Sequence, residues 1–370
     1  MDDSLNIRDF DYDLPVELIA QTPIEPRDAS RLLVVQRSTG QREQRHFHDI
    51  GDYLRPGDLL IANQSRVIPA RLMGQRAESG GAVEMLLLAE RPDLGRDHWE
   101  TLVRPGRRLR EGERVIFRDQ HSTPRLEAKL LARTEAGGRI VRLTPTQTKQ
   151  HNPTTDSADP YSVMTIRNLV DELGQMPLPP YIHEKLDDPE RYQTVYARIR
   201  GSAAAPTAGL HFTPQLLAQL RQQGVQVGFV TLHVGLDTFR PVEEERVSEH
   251  KMHSEEIELD APTAALINET RRTGGRVIAV GTTSVRVLES VASLHDGDIV
   301  PYKGRTNLFI TPGYHYKAVD VLITNFHLPR STLLLLVSAF MGKELMEQCY
   351  QDAIRERYRF FSFGDAMLIV

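Results

Sequence analysis

Val277-Ile-Ala-Val-Gly-Thr-Thr-Ser-Val-Arg286 sets four apolar residues, mostly β-branched, before a glycine and a hydroxyl-rich start to a helical pattern that runs to Ser293. The apolar run is too short for a helix and reads as a buried strand; its sequel reads as a helix. The same order recurs on either side. Residues 225–232 form a β-type run ending at His233, and residues 261–271 a helical one. Residues 319–323 form a strand that leads through Thr324-Asn-Phe-His-Leu-Pro329 into a long helix from Ser331, and a last helix keeps Leu345, Met346, Cys349, Tyr350, Ala353 and Ile354 on one face. Strands alternating with helices predict an α/β domain with a mostly parallel sheet or a barrel-like core. In such sheets ligands gather outside the carboxyl ends of the strands. Three of those ends carry polar groups: His233, Gly281-Thr-Thr-Ser284, and Thr324 to His327. They predict one pocket.

Upstream, Gly201-Ser-Ala-Ala-Ala-Pro-Thr-Ala-Gly-Leu-His-Phe-Thr213 is small, nearly uncharged and without period. Small residues let a ligand approach the backbone, and His211 precedes a helix start at which Thr213 is a natural N-cap and Pro214 the first helical residue. This stretch and His233-Val-Gly-Leu-Asp-Thr-Phe-Arg-Pro-Val242 read as two walls of the same pocket. For each histidine taken alone, a hydrogen-bonded structural role is the competing reading. For Gly281 to Ser284 the alternatives are simple capping and the binding of a carboxylate or phosphate by free N–H groups and the helix dipole. Arg286 and Glu289, three apart on that helix, either serve a ligand or pair with each other.

Between residues 67 and 143 the pattern turns to β. Six short runs, broken by Gly80-Gly81, Arg104-Pro-Gly106 and Gly137-Gly138, predict a small antiparallel barrel or sandwich inserted into the larger domain. The expected division is 1–65 with 155–370 for the α/β domain and 66–154 for the insert, with a polar return linker at 146–160. Residues 101–149 hold twelve Arg and Lys against five acids, a local excess of seven in a chain whose net charge is −5. A basic module on an acidic body suits a phosphate backbone; a solvated strand surface is the alternative.

The composition, 40% hydrophobic and 26% charged, is that of a soluble globular protein. One cysteine excludes an internal disulfide framework and a multi-cysteine zinc site. His250 and His253 stand at metal-ligand spacing without a carboxylate partner at such spacing, so no metal is expected. The start, Met1-Asp2-Asp3-Ser4, reads as no secretion signal, and the apolar run at 333–341 is short for a membrane span; a cytoplasmic location is expected. The dinucleotide, Walker, zinc-protease, deaminase and serine-hydrolase signatures are missing.

Five motifs, Ala204-Ala-Pro-Thr-Ala-Gly-Leu-His-Phe212, Thr231-Leu-His-Val-Gly235, His253-Ser-Glu255, Val277 to Arg286 and Thr324 to Pro329, closely resemble those of the S-adenosylmethionine:tRNA ribosyltransferase-isomerases. The likeness continues through Asp9-Phe-Asp-Tyr-Asp-Leu-Pro15, Arg66-Val-Ile-Pro-Ala-Arg71, Met176-Pro-Leu-Pro-Pro-Tyr-Ile182 and Tyr358-Arg-Phe-Phe-Ser362, and so runs essentially end to end. The resemblance implies a step of queuosine biosynthesis. The ribosyl portion of S-adenosylmethionine moves onto 7-aminomethyl-7-deazaguanine in the tRNA anticodon and isomerises, giving epoxyqueuosine and releasing adenine and methionine. It also implies an α/β domain with an inserted β-barrel, S-adenosylmethionine as a substrate with no permanently bound cofactor, tRNA as partner, no membrane association, and a monomer.

On that footing His211 and His233 are the first choices for a base, and His327 for an acid toward departing adenine. Glu255 and Phe326 are candidates to face the sulfonium. Pro206, Thr207, Gly209, Arg286 and Asn325 complete the expected substrate site with Gly281, Thr282, Thr283 and Ser284, whose helix start would hold the methionine carboxylate. Arg66, Arg71, Arg104, Arg107 and Arg108 are the expected tRNA contacts. Two positions depart from the family pattern: Ala197-Arg-Ile-Arg200, where an acid is usual, so that Arg198 and Arg200 stand out, and Asp237, where glycine is usual. They leave a catalytically idle RNA-binding paralogue as one alternative; a small-molecule methyltransferase, which would have no use for the basic insert, is the other.

Overall fold

The computed structural model describes residues 5–106, 109–134, 137–146, 166–235, 242, 244–252 and 254–370. Arg107, Arg108, Asp237, His253 and most of the expected linker lie outside the described residues. In chain order the elements are β1 (Arg31–Val35), β2 (Arg42–His46), β3 (Leu59–Asn63), β4 (Ser65–Val67), β5 (Arg71–Arg76), β6 (Ala82–Glu90), β7 (His98–Arg104), β8 (Arg114–Arg118), β9 (Pro124–Arg133) and β10 (Arg139–Pro145). They continue with α1 (Ile166–Leu173), β11 (Ile199–Ser202), α2 (Pro214–Gln222), β12 (Gln226–Leu232), β13 (Glu255–Leu259), α3 (Ala261–Arg272), β14 (Val277–Val280) and α4 (Gly281–Leu294). The last are β15 (Tyr302–Thr306), β16 (Val321–Asn325), α5 (Thr332–Met341), α6 (Lys343–Arg355) and β17 (Ala366–Ile369).

One compact unit comprises Met1–Arg66, Pro179–Ile199 and Ala204–Val370. Its nine-stranded sheet has the order β15-β13-β12-β3-β14-β16-β17-β1-β2. The central strands β12, β3, β14 and β16 are mutually parallel. Three of them, LLIAN, VIAV and VLITN, are buried along their whole length, as strands covered on both faces must be. Alternate residues point to opposite faces. Leu59, Ile61, Val277, Ala279 and Leu322 join one core with α4, α5 and α6, whereas Leu60, Ala62, Ile278, Val280 and Ile323 join a second with Phe47, Phe212, Leu216, Leu217 and Leu220. Each Val, Leu, Ile or Phe side chain among them contributes about 1.5–3 kcal/mol on burial.

The sheet is mixed and not mostly parallel. β13, β15 and β2 pair antiparallel to their neighbours, and β17 runs antiparallel to β16 but parallel to β1. No α-helix is described between β12 and β13, and an antiparallel neighbour requires no crossover helix. β2 reads REQRH and is nearly all exposed, the charged edge strand that discourages further pairing.

The second unit comprises Val67–Leu178 with residues 200–203. Six antiparallel strands close a barrel in the order β10-β7-β6-β5-β8-β9, which leaves no free edge. Leu72, Met85, Leu87, Trp99, Phe117, Leu126 and Leu130 fill it. Gly74 allows this closeness: a Cβ there would sit 2.7 Å from the Phe117 ring. The first strand begins at Arg71, not Val67, because Pro69 has no N–H for the ladder. The unit extends past residue 154 because α1 packs Ile166, Leu169 and Val170 into the barrel cluster.

Candidate active site

Thr213 caps α2, accepting from the Leu216 amide at 3.1 Å and donating to Asp28 Oδ2 at 2.9 Å. The cap anchors the turn Thr207–His211, whose Ala208, Gly209, Leu210 and His211 are buried. Gly209 serves packing: a Cβ there would meet the Tyr196 hydroxyl at 2.1 Å. His211 stacks on Phe47 with centroids 4.9 Å apart, and its Nδ1 lies 2.7 Å from Ser30 Oγ. Burial pulls its pKa down to about 4; Asn325 opposes this, and Arg359 and Arg27 add to it. No hydrogen bond of normal geometry joins Asn325 to His211, so His211 Nε2 is a buried acceptor or donor with no partner among the described residues.

At the end of β14 the chain turns straight into α4 through Gly281, whose φ of +84° favours glycine. No side chain caps the first amides of α4, and the Ser284 hydroxyl is spent on the Val280 carbonyl at 2.8 Å. The helix start therefore keeps its donors and its positive dipole end for something else. β16 contributes Thr324 and Asn325, followed by Phe326 and His327. The Thr324 hydroxyl lies 2.7 Å from His327 Nε2, and burial lowers the His327 pKa to about 3.

A cleft open to solvent forms where these ends meet. Of the residues singled out above, Pro206, Thr207, Gly281, Thr282, Thr283, Asn325, Phe326 and His327 line it. His211, His233, Gly209, Glu255, Ser284 and Arg286 do not. His233 adjoins the lining residue Val234, and its own amide donates to the Glu256 carbonyl at 3.1 Å. Arg286 pairs with Glu255, not Glu289, in a bridge whose side chains are both 7% exposed. Glu255 also accepts the Gly235 amide at 3.2 Å, so its charge is already matched and it is not held open for a sulfonium. Glu289 accepts Tyr314 Oη and the amides of Lys317, Ala318 and Val319, a structural carboxylate. Burial favours neutral rings at His211 and His327. Each suits a base or a neutral donor, which changes the part expected of His327: an imidazolium acid is disfavoured there.

Sequence reading missed Tyr181, Phe361 and Ser362, which also line the cleft. Tyr181 Oη and Ser362 Oγ are 2.6 Å apart. Their signal was present, since Tyr181 and Ser362 sit in two of the family-like motifs that were given no role. Arg66 and Arg71 are ion-paired, to Glu190 and Glu84 respectively, while Arg104 is exposed at the end of β7. Arg198 hydrogen-bonds Gln64 and lies over the Phe229 ring at 5.3 Å, and Arg200 pairs with Asp171, so both arginines of the 197–200 departure are absorbed locally. His46, His48 and Asp49 bring ligand atoms within 4.8 Å of one another. The two rings are parallel, however, and no single ion lies in both ring planes. Among the described residues no helix is long and apolar enough to cross a membrane.

Residues 7–369 match the family model described as "Queuosine biosynthesis protein". The S-adenosylmethionine:tRNA ribosyltransferase-isomerase of Symbiobacterium thermophilum is 55% identical over 366 residues, covering 99% of this chain and all of that protein. Its namesake from Moorella thermoacetica is 54% identical over the same coverage. The crystal structure of the S-adenosylmethionine tRNA ribosyltransferase from Thermotoga maritima covers 98% of this chain and all of its own, at 41% identity and a TM-score of 0.54. A match that spans nearly all of both compact units settles the family: the chain belongs to the queuosine biosynthesis protein family.

Proposed function

We propose that the protein is an S-adenosylmethionine:tRNA ribosyltransferase-isomerase, which transfers the ribosyl moiety of S-adenosylmethionine to 7-aminomethyl-7-deazaguanine in the tRNA anticodon and isomerises it to epoxyqueuosine. The observation that carries this reading, beside the family, is the meeting of the β14 and β16 ends with the Pro206–Thr207 turn in one cleft. One wall offers the uncapped start of α4, suited to the methionine carboxylate. The other offers His327; Phe326, 0% exposed, is packed into the core and turns no free face to the cleft.

The reaction needs a proton removed beside the sulfonium and a neutral aminomethyl nucleophile, and both need a base within hydrogen-bond reach. His327, which lines the cleft and is kept neutral by burial, fits that demand, whereas His211 lies outside the lining. The Thr324 hydroxyl also reaches the Asn325 carbonyl at 3.3 Å. A carbonyl only accepts, so a hydroxyl donating there accepts a hydrogen bond from His327 Nε2–H, and Nδ1 is left as the basic nitrogen. His233 remains a proposed member of the site through Val234. The barrel is proposed to dock tRNA through its exposed cations, among them Arg104, Arg110, Lys129, Arg133 and Arg142. A cytoplasmic monomer without a resident cofactor belongs to the same reading.

The test is incubation with S-adenosylmethionine and tRNA carrying the deazaguanine precursor. Free adenine together with a mass gain on the tRNA supports the proposal. Tight binding without turnover supports the idle paralogue, and methyl transfer supports the methyltransferase.

A further inference from the structure

The motif Asp9-Phe-Asp-Tyr-Asp-Leu-Pro15 contributes nothing to the lining of the cleft, yet it is wrapped around the loop that carries His327. The Tyr12 hydroxyl donates to the His327 carbonyl, and the Phe10 carbonyl accepts the Arg330 amide at 2.9 Å. Asp11 pairs with Arg330 at 3.4 Å. From the other side, the His327 amide donates to the Tyr350 hydroxyl on α6 at 2.9 Å. The two phenol rings meet edge to face, with centroids 5.1 Å apart. Tyr350 is 1% exposed and also packs against Phe326, so its oxygen has nowhere to turn for water.

Both hydrogen-bonding groups of one peptide framework are thus held by side chains, from segments more than three hundred and just over twenty residues away. A loop leaving a strand normally finds water for such groups. Here they are committed to two tyrosines whose ionisation burial strongly opposes. With Thr324 on Nε2, the ring, the amide and the carbonyl of His327 are each fixed by a different hydroxyl.

We propose that Tyr12 and Tyr350 are positioning residues for His327, holding its imidazole at the depth in the cleft from which it acts on the bound sulfonium substrate. The proposal rests on the reading of His327 as part of the active site. Their hydroxyls touch no substrate; they act through the histidine's main chain. Misplacing a catalytic group by about 1 Å costs on the order of a hundredfold in rate, while substrate binding, spread over the rest of the cleft, is little changed.

The experiment compares Tyr12→Phe and Tyr350→Phe with Tyr316→Phe and His327→Gln. Tyr316 makes the same kind of bond, hydroxyl to the Leu336 carbonyl at 2.8 Å, away from the cleft, and so reports what loss of such a bond does to stability alone. The expected result is a fall in kcat of about tenfold or more for Tyr12→Phe and Tyr350→Phe, with KM for S-adenosylmethionine within about threefold. Tyr316→Phe should keep its kcat at a comparable loss of Tm. Turnover retained within about twofold in both tyrosine variants, with His327→Gln impaired, overturns the positioning role and leaves the histidine's role standing. Full activity in His327→Gln overturns both. Hydrogen exchange at the His327 amide gives a readout independent of any activity: faster exchange in Tyr350→Phe supports the grip, and unchanged exchange contradicts it.

Discussion

Asn325 and Phe361 are tied together across the base of the cleft, the Asn325 Nδ2 donating to the Phe361 carbonyl at 2.9 Å. The Phe361 amide in turn donates to the Phe326 carbonyl at 3.1 Å. Phe361 holds a φ of +69°, a conformation that disfavours side chains, and these bonds offset its cost. Replacing Asn325 by Ala should leave the carbonyl unmatched and cost about 1–3 kcal/mol, read from urea unfolding. Adenine release should fall with it. A variant as stable and as active as the parent would show that the tie is incidental.

His211 and His327 give stability a pH dependence of definite sign. Their pKa values are lowered from 6.5 to about 4 and about 3, so the unfolded chain binds protons that the folded one refuses. Stability is therefore full above the ordinary histidine pKa and declines as pH falls from 6.5 toward 4, and for His327 toward 3. For His211 the loss amounts to about 3 kcal/mol once both forms are protonated. Urea midpoints measured from pH 8 to pH 4 should fall, and His211→Gln should flatten that slope; an unchanged slope would show that the ring is solvated.

Gly209→Ala should destabilise the His211 turn, since the added methyl overlaps the Tyr196 hydroxyl. Overpacking of this kind costs about 1–3 kcal/mol. Tyr196→Phe removes the overlapping oxygen and should restore part of the lost Tm in the double variant. Equal Tm values for the single and double variants would place the strain elsewhere.

The pattern of apolar runs was enough to place β12, β14 and β16, the six barrel strands and the start of α2, because each is a buried run bounded by a turn or a cap. It missed β2, β11, β13, β15 and β17. Sequences such as REQRH and YKGRT carry no apolar alternation, and they become strands by pairing with a formed neighbour, REQRH with β1 just upstream and YKGRT with β13. The same limit applies to the cleft. Gly281, Thr282 and His327 stand at strand ends and were legible from that, whereas Tyr181, Phe361 and Ser362 reach the cleft from irregular segments with no local pattern. Glu255 looked available because nothing in its own segment announces Arg286, thirty-one residues on.

That pair yields a further expectation. Glu255→Gln or Arg286→Met alone strands a buried charge and should cost about 3–5 kcal/mol, whereas the double variant should lose much less than the sum. Additive losses in chemical denaturation would mean that the two side chains do not share one interaction.

The central claim is that S-adenosylmethionine sits in the cleft formed at the ends of β14 and β16. A crystal structure of the protein with S-adenosylmethionine bound measures this directly. The account predicts the substrate carboxylate within hydrogen-bond reach of the Thr282 and Thr283 amides, and the sulfonium beside His327. S-adenosylmethionine seated outside this cleft, or with its carboxylate turned away from the start of α4, would contradict it.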